Sequence, residues 1–212
     1  MLLKPSFYQS DDVVSISKEL LGKLIYTSFD GVVTGGMIVE TEAYRAPDDK
    51  ACHAFENKLT ERTKTMFLEG GTLYVYISYG LHRMINVVTS TKGKAHAVLI
   101  RAIEPTTGIE KMLERRNHDS LNIQTVNGPG KMAKALGVEK NHNGKSLFLK
   151  KSGIWIENSN KSLDKDEIQI GPRVGMSLHT GKDAHRPWRF YIKNNIWVSK
   201  PKIVKYPHIP TD

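Results

Sequence analysis

Short apolar runs separated by glycine and polar residues divide the first part of this chain into predicted elements. Apolar side chains recur at helical spacing over residues 13–21, and Ser10 or Asp11 is positioned to cap that helix. Residues 24–27 follow as a strand, and the dipeptide Asp30-Gly31 is typical of a tight hairpin turn. The pattern therefore predicts a helix followed by a β-hairpin.

The strand predicted over residues 37–44 contains two acidic residues. Gly35-Gly36 indicates a turn just before this strand. Glu40 and Glu42 lie two residues apart, so their side chains point to the same face. Because burying unpaired carboxylates is costly, two interpretations are open. Either the strand lies at a sheet edge with a solvated polar face, or the acids have partners and a function.

An isolated arginine offers such a partner. Arg101 interrupts the apolar strand predicted over residues 97–103 and could pair with one of the two glutamates across neighbouring strands. A carboxylate held by an arginine stays ionised at neutral pH, as a general base that activates water must. A purely structural ion pair between strands explains the same pattern, so both interpretations stay open at this point.

Aromatic residues cluster in the sequence around the acids. Residues 72–80 and 84–88 predict a hairpin with Tyr79 near its tip. The cluster comprises Tyr44, His53, Tyr74, Tyr76 and Tyr79. Tyrosine is common in strands, so packing is the ordinary explanation. The functional alternative is that the flat rings hold a planar base, a cationic one included, while Tyr79 wedges into a base stack.

The charge of the chain favours an anionic partner. Among 212 residues, 31 lysines and arginines stand against 22 acids, a net charge of +9. This balance suits a nucleic acid or an acidic membrane surface. The candidate phosphate contacts are Arg62, Lys64, Arg83 and Lys131, the last following Gly-Pro-Gly at a predicted helix N-terminus. For each of them, a solvated surface charge is the alternative.

Several kinds of chemistry have little support in the sequence. Cys52 is the only cysteine, which excludes an intramolecular disulfide and a cysteine-based zinc site. Asp48, Asp49 and His53 could be assembled into a metal site, but no metal-binding spacing supports one. No metal is therefore predicted. The chain also lacks a P-loop or dinucleotide pattern, so no nucleotide cofactor is predicted either. No signal peptide or membrane-spanning run is present, so we expect a cytoplasmic protein with no membrane partner.

The remaining pattern predicts a mixed fold. Helices are indicated over residues 106–116 and 132–136, and short strands over residues 147–149, 154–156, 189–192 and 196–198. Asn194-Asn195 is a turn candidate, and the segment from Lys200 onward, with three prolines, reads as an irregular tail. No linker divides the chain. We therefore predict a single α+β domain over residues 1–212 with an antiparallel sheet at its centre.

Ordered motifs along the chain resemble one known family. The matching stretches are Val-Glu-Thr-Glu-Ala-Tyr at 39–44, His53, Arg62 with Met66-Phe67, Leu-Tyr-Val-Tyr-Ile-Ser-Tyr-Gly at 73–80, Asn86, Val-Leu-Ile-Arg-Ala-Ile-Glu-Pro at 98–105, Gly-Pro-Gly-Lys at 128–131, Pro-Arg-Val-Gly at 172–175, Arg-Phe-Tyr at 189–191 and Trp-Val-Ser at 197–199. Together they resemble the alkyladenine (3-methyladenine) DNA glycosylase family, from about residue 5 to about residue 200.

The resemblance implies a monofunctional base-excision enzyme with a defined catalytic group. Glu42 would activate the attacking water, which Arg101 and the backbone around Val174 would help to hold. Simple hydrolysis would follow, without strand cleavage. Glu40 is then the structural acid or a support for the site, and its role stays open.

The resemblance also implies how a base would be recognised. Tyr44 would stack on one face of the flipped base, with His53 and Tyr76 on the other. Asn86 would border the pocket and discriminate against the amino group of normal guanine, and Tyr79 would intercalate into the duplex.

The implied fold is a compact domain around a curved antiparallel sheet with flanking helices and a protruding hairpin that enters the minor groove. The implied partner is double-stranded DNA carrying alkylated purines: 3-methyladenine and 7-methylguanine, with hypoxanthine and ethenoadenine as further substrates to test. A monomer is expected, associated with the nucleoid if the source is a bacterium.

The chain departs from the family pattern at two places. Thr60-Glu61-Arg62 lacks a proline that relatives commonly carry before the arginine, and His82 and Arg83 replace more aromatic hairpin neighbours.

Two other functions compete with the glycosylase: a non-catalytic nucleic-acid-binding domain, and a metal-dependent nuclease that uses Asp48, Asp49 and the glutamates. A charged pair such as Glu42 and Arg101 inside an apolar sheet has no use in a domain that only binds.

Overall fold

Strands of one antiparallel sheet organise the protein, which a computed structural model describes over residues 1–160 and 162–201. In these ranges the strands are β1 (Leu24–Phe29), β2 (Val32–Arg45), β3 (Leu73–Ser78), β4 (His82–Thr89), β5 (His96–Thr107), β6 (Ile154–Glu157), β7 (Ile168–Gly171) and β8 (Arg189–Ile192). Six follow the order β3-β4-β5-β2-β1-β6, while β8 pairs with both β2 and β7. Every strand pair is antiparallel.

β2 is a single strand of 14 residues that runs through the glycine pair. The predicted turn at Asp30-Gly31 is confirmed, because Phe29 pairs with Val32 around it and both turn residues have positive φ. The predicted turn at Gly35-Gly36 is wrong. A Cβ added at Gly35 would lie 2.3 Å from the Tyr26 ring, and one at Gly36 would lie 2.3 Å from a backbone oxygen of Glu104. These glycines permit close approach within the sheet.

The strand that carries both glutamates lies inside the sheet. β5 covers one side of β2, and β1 and β8 share the other side, β1 at its first half and β8 at Glu40–Glu42. Register shifts occur at Ile38/Glu40 and Glu40/Thr41, where a β-bulge locally re-aims the side chains. The edge-strand interpretation is therefore wrong, since both glutamates are fully buried.

Three α-helices flank the sheet in the described residues: α1 (Val13–Glu19), α2 (Ile109–Arg116) and α3 (Pro129–Ala135). Asp12 caps α1 by accepting the Ser15 amide, so neither Ser10 nor Asp11 is the cap. α2 begins three residues later than predicted, because β5 continues through Thr107 and Gly108 turns the chain in the left-handed region. Shorter 3-10 helices are Pro5–Tyr8, Phe55–Asn57, Lys64–Phe67, Ile123–Thr125, Lys140–His142, Lys150–Ser152, Lys165–Glu167 and Leu178–His185.

Two of the predicted strands, residues 147–149 and 196–198, are wrong. Residues 147–149 form turns in which the Leu147 amide donates to Gly71 and its carbonyl accepts from Ile156. Residues 196–198 form a turn after β8, and Val198 is buried. Leu147 and Val198 are buried in the core, whereas Leu149 and Ile196 are exposed, and neither stretch forms a strand; periodicity alone does not reveal this.

The core lies between the sheet and the helices, with a smaller apolar cluster under residues 46–66. The predicted class is confirmed: one α+β domain around a curled antiparallel sheet. Within residues 1–160 and 162–201, none of the helices combines the length and apolar character that crossing a membrane requires. Most of the predicted irregular tail, from residue 202 onward, lies outside the described residues.

Candidate active site

Glu40 is the centre of a sealed ionic cluster. Its Oε1 accepts from Arg101 Nε and Arg189 Nε, both at 2.8 Å, and from the Ser199 hydroxyl at 2.9 Å. Its Oε2 accepts from the Ser199 amide at 2.7 Å. Both arginines and Ser199 are buried as well. Charges so deep in a protein are tolerated only when they are paired and hydrogen-bonded, and this carboxylate has both forms of support.

Glu42 occupies a different environment two residues further on. Its Oε1 accepts from the backbone amide of Val174 at 2.7 Å, and its Oε2 accepts from the Tyr44 hydroxyl at 2.8 Å. Arg101 NH1 lies 3.3 Å from the same Oε2. Burial and then the charge of Glu42 raise the pKa of Tyr44 well above its usual value, so Tyr44 keeps its proton and is the donor.

Arg101 joins the two carboxylates, so the structure goes beyond the expected single pair. Burial lowers the pKa of Arg101, but the charges of Glu42 and Glu40 outweigh this and raise it above the ordinary arginine value. Arg101 therefore stays charged and fixes both acids on one face of the sheet.

A cavity of about 180 Å³ lies beside the Tyr44 ring. Its lining residues are Tyr44, Ala51, His53, Met66, Tyr74, Tyr76, Asn86, Ala97, Gly175 and Met176. Since a cavity of about 150 Å³ in another protein holds benzene, the space is on the scale of one planar ring system. Glu42 itself is fully buried and meets the cavity through the Tyr44 hydroxyl.

His53 and Tyr76 form an aromatic wall of this cavity. Their rings meet edge to face with centroids 4.5 Å apart. His53 Nε2 lies 3.0 Å from Arg62 NH2 and Nδ1 lies 3.0 Å from the Tyr74 hydroxyl. Because a guanidinium has no acceptor, Nε2 must accept and Nδ1 must carry the proton. Burial, with a contribution from Arg62, lowers the pKa of His53 to about 4, so the wall is neutral at physiological pH.

Asn86 presents an oriented amide to the cavity. Its Nδ2 donates to the backbone oxygens of Tyr74 at 3.1 Å and Met84 at 3.4 Å. Those two bonds fix which end of the amide carries the oxygen, because two carbonyls require donors. The side-chain oxygen is the end that has no hydrogen-bond partner among the described residues.

Tyr79 stands apart from the cavity, in the connection between β3 and β4. Ser78 pairs with His82, so Tyr79, Gly80 and Leu81 form the tip of this hairpin. Tyr79 is 91% exposed and has φ of 50°, and Leu81 is 71% exposed. Tyr79 and Leu81, on either side of Gly80, thus expose apolar surface at the hairpin tip.

The predicted phosphate contacts divide into two groups. Arg62 lies against the aromatic wall, with its guanidinium 5.1 Å from the centre of the Tyr76 ring. Lys64 is exposed and ion-paired with Glu61 at 2.6 Å, and it is not among the residues that line the cavity. Arg83 pairs with Glu139 at 2.7 Å near the hairpin tip. Lys131 is in the first turn of α3 and contacts Gln124 and Asn127.

A basic groove runs between the hairpin tip and α3. Its lining residues are Leu81, His82, Arg83, Arg116, Gly130, Lys131, Lys134, Val138 and Glu139. A Cβ at Gly130 would lie 2.9 Å from His82 Cβ, so α3 packs directly on the hairpin. Burial and then the neighbouring charge of Arg116 lower the pKa of Lys131. Arg116 and Lys134 were not singled out by the sequence, where they read as helix-surface charges.

Asp48 and Asp49 are both engaged by arginines. Asp49 is fully buried and binds Arg173 through both oxygens, at 2.6 and 2.8 Å. Asp48 binds Arg45 at 2.6 Å and Arg186 at 3.3 Å. Over residues 1–160 and 162–201, three or more metal-binding side chains are nowhere grouped around one point.

Some residues of the site were not predicted at all. Arg173, Arg189 and Ser199 support the two glutamates or their neighbours, and Met66 and Met176 line the cavity. Arg189 gave a weak signal as a charge at the start of an apolar strand. Met66, Arg173 and Ser199 lie in stretches that match the family, but the match assigned them no role, and Met176 lies outside those stretches.

Comparison with known proteins shows the family of the chain. The family model for methylpurine-DNA glycosylase (MPG) matches residues 6–196. The chain therefore belongs to the methylpurine-DNA glycosylase family, and the resemblance noted in the sequence is confirmed.

Curated relatives extend over nearly the whole chain. A protein of Chlamydia felis is 42% identical over 200 residues, which cover 94% of this chain and 99% of the relative. One of Natranaerobius thermophilus is 40% identical over 201 residues, with 94% and 99% covered, and one of Chlamydia pneumoniae is 40% identical over 192 residues, with 90% and 95% covered. Each bears the name "Putative 3-methyladenine DNA glycosylase".

Proposed function

We propose that this protein is a monofunctional DNA glycosylase that removes alkylated purines from duplex DNA by hydrolysis. The observation that carries the proposal is the placement of Glu42. Its carboxylate is oriented by an amide, an arginine and a tyrosine hydroxyl, and that tyrosine lines a cavity on the scale of one planar base.

Glu42 acts as the general base in this proposal. Its carboxylate is held by Arg101, which remains protonated, and by the Val174 amide. In the free protein the Tyr44 hydroxyl occupies Oε2. In this proposal a water molecule takes the place of that hydroxyl at Oε2, and Glu42 and Arg101 hold the water for attack on C1′ of the sugar.

The cavity fits a flat and cationic base. Tyr44, Tyr76 and His53 all line it, and in this proposal Tyr44 stacks on one face of the base while Tyr76 and His53 contact the other. A neutral His53 avoids repulsion of a positively charged base, and tyrosine rings attract a cation through their faces. An alkylated purine such as 3-methyladenine or 7-methylguanine leaves readily as a neutral base, so water activation is the main requirement. Asn86 would supply the contact that discriminates against normal guanine.

The DNA surface of this proposal combines the hairpin tip with the basic groove. Exposed Tyr79 is the wedge that replaces an extruded nucleotide in the stack. Lys131 and Arg116 are partly desolvated cations that repel each other, a situation that a phosphate would relieve. Arg83 and Lys134 extend the same groove. Arg62, which lies against Tyr76, would contact a phosphate near the cavity, and the exposed Lys64 would contact one further away.

Hydrolysis without strand cleavage is part of the proposal. A lyase reaction needs an amine that forms a Schiff base with the sugar. Among the described residues that line the cavity, none is a lysine. The expected product is therefore an intact strand with an abasic site.

The test is incubation with labelled duplexes that contain 3-methyladenine, 7-methylguanine, hypoxanthine or ethenoadenine, in the presence of EDTA. We expect release of free base and strand breakage only after alkali treatment. Breakage before alkali would contradict the hydrolytic mechanism, and loss of activity in EDTA would favour the metal-dependent nuclease.

A non-catalytic nucleic-acid-binding domain is the second candidate. One observation favours it: Glu42 is fully buried, and protein groups already contact both of its oxygens. Duplex binding with no excision of any of the four lesions would establish this alternative.

A further inference from the structure

We propose that Arg173 is a positioning residue for base excision, because one guanidinium holds both the stacking ring and the carboxylate support in place. The inference rests on the function proposed above and assigns a role to a residue outside the cavity lining. Arg173 follows β7 and is completely buried.

The guanidinium is itself held rigidly. Asp49 accepts two hydrogen bonds from it, at 2.6 and 2.8 Å, in the bidentate geometry that arginine favours. The backbone oxygen of Asp183 accepts another at 3.0 Å. Asp49 is fixed in turn by the Ala51 amide at 3.1 Å. These bonds leave the guanidinium little freedom to move.

The fixed guanidinium supports Tyr44 from behind. Its central carbon lies 4.7 Å from the centre of the Tyr44 ring and 5.4 Å from that of Trp188. Arg173 does not line the cavity, whereas Tyr44 does. The arginine therefore acts on the Tyr44 ring from outside the cavity lining, as a stop against which a bound base would press the ring.

Arg173 also connects this ring to Glu42. Its NH1 donates to the carbonyl of Ala43, the residue between Glu42 and Tyr44, at 2.9 Å. Its own neighbour in the chain, Val174, donates its amide to Glu42 at 2.7 Å. One side chain thus fixes the spacing between the general base and the stacked base. A displacement of about 1 Å at such a site costs on the order of 10²-fold in rate.

The test uses Arg173→Lys, which keeps the charge but loses the bidentate fork and the flat stacking surface. Excision of 7-methylguanine is measured in single turnover at saturating enzyme, together with the affinity for the same duplex. We expect a fall in the rate on the order of 10²-fold. Affinity should change by less than about threefold, because Tyr79 and the basic groove are untouched.

Arg186→Lys is the matched control. Arg186 also stacks on Trp188, at 4.5 Å, and binds Asp183 at 2.7 Å, but these contacts are to neither Tyr44 nor Ala43. We expect it to lower the melting temperature while it leaves the excision rate close to wild type. If Arg173→Lys does not fold, the double variant Arg173→Gln with Asp49→Asn removes both charges together and takes its place.

Excision by the Arg173 variant within threefold of wild type would overturn the positioning role, and so would an equal loss in Arg186→Lys. Neither result would touch the glycosylase proposal, which fails only if the wild-type protein releases no base.

Discussion

Glu40 and Glu42 lie two residues apart on one strand, yet their surroundings are opposite. Glu40 is enclosed by two arginines and Ser199, and each of its contacts leads into the protein interior. Glu42 shares only Arg101 with that cluster, and its other contacts are the Val174 amide and a tyrosine that borders a cavity. The same residue type is thus a structural ion in one position and a candidate general base in the next.

The difference shows what a buried acid needs in order to act chemically. Glu40 is held by ionic partners that would be left unpaired if it moved, so its loss should be felt in folding. Glu42 is held partly by a neutral hydroxyl that a ligand can displace. Burial alone does not separate the two, since both are fully buried.

The largest expected effect is on the rate after Glu42→Gln. The variant keeps the size and the hydrogen-bonding capacity of the side chain but cannot take a proton from water, so excision should fall about 10²–10⁴-fold. Single-turnover release of 7-methylguanine measures this, and fluorescence anisotropy on the same duplex should show retained binding. An active Glu42→Gln enzyme would remove Glu42 from the chemistry.

Glu40→Gln should instead reduce stability. Removal of the shared charge leaves Arg101 and Arg189 short of a partner, which costs about 3–5 kcal/mol of unfolding free energy. Urea unfolding measures the loss. Glu104→Gln, a half-buried acid on β5 that accepts one bond from Asn195, is the control and should cost about 1 kcal/mol. A similar cost for both variants would contradict the distinction drawn for Glu40.

The pH dependence of stability tests whether His53, in the cavity wall, is shielded from solvent in the folded protein. Its pKa is about 4 in the folded protein against 6.5 for the free side chain, so the unfolded chain binds more protons between these values. Stability should therefore fall as the pH is lowered from 6.5 towards 4, by up to about 3 kcal/mol from this group. Urea unfolding at pH 7 and pH 5 measures it.

The His53→Gln variant should lack that part of the pH dependence, whereas His179→Gln, at an exposed position, should retain it. Identical pH profiles for wild type and His53→Gln would show that His53 is solvated in the folded protein.

The smallest expected effect concerns the basic groove. Lys131→Gln with Lys134→Gln removes two cations, so the slope of log affinity against log salt should become shallower by ~2. Anisotropy with an undamaged duplex between 50 and 200 mM salt measures it. Lys151→Gln is the control. This exposed lysine lies just before β6, which is at the opposite edge of the sheet from the β3–β4 hairpin. An equal change in the control would mean that net charge, and not the groove, sets the slope.

Local pattern was enough to predict much of the sheet and part of the site. The Asp30-Gly31 turn, the strand runs and the charges at Glu42 and Arg101 inside apolar runs can each be recognised from a few neighbouring residues. The family resemblance added the assignment of each aromatic residue, and the structure brings Tyr44, His53, Tyr76 and Asn86 around one cavity.

Contacts between distant residues account for what the sequence did not reveal. Asp49 read as a possible metal ligand because its partner Arg173 is 124 residues away. Gly35-Gly36 read as a turn because only the neighbouring strands show that Cβ atoms would collide there. Residues 147–149 and 196–198 each bury one aliphatic side chain, Leu147 and Val198, without forming a strand, and periodicity cannot distinguish that from a strand.

The bond between the Ser199 amide and Glu40, at 2.7 Å, joins residues 159 positions apart. A ribosome delivers Glu40, Glu42 and Arg101 long before Arg189 and Ser199, so the nascent chain must carry these charges without their final partners. Contacts between residues so far apart in the sequence favour slow folding. A prematurely terminated chain that ends before residue 189 would contain every proposed catalytic side chain and still lack two of the groups that neutralise and enclose Glu40.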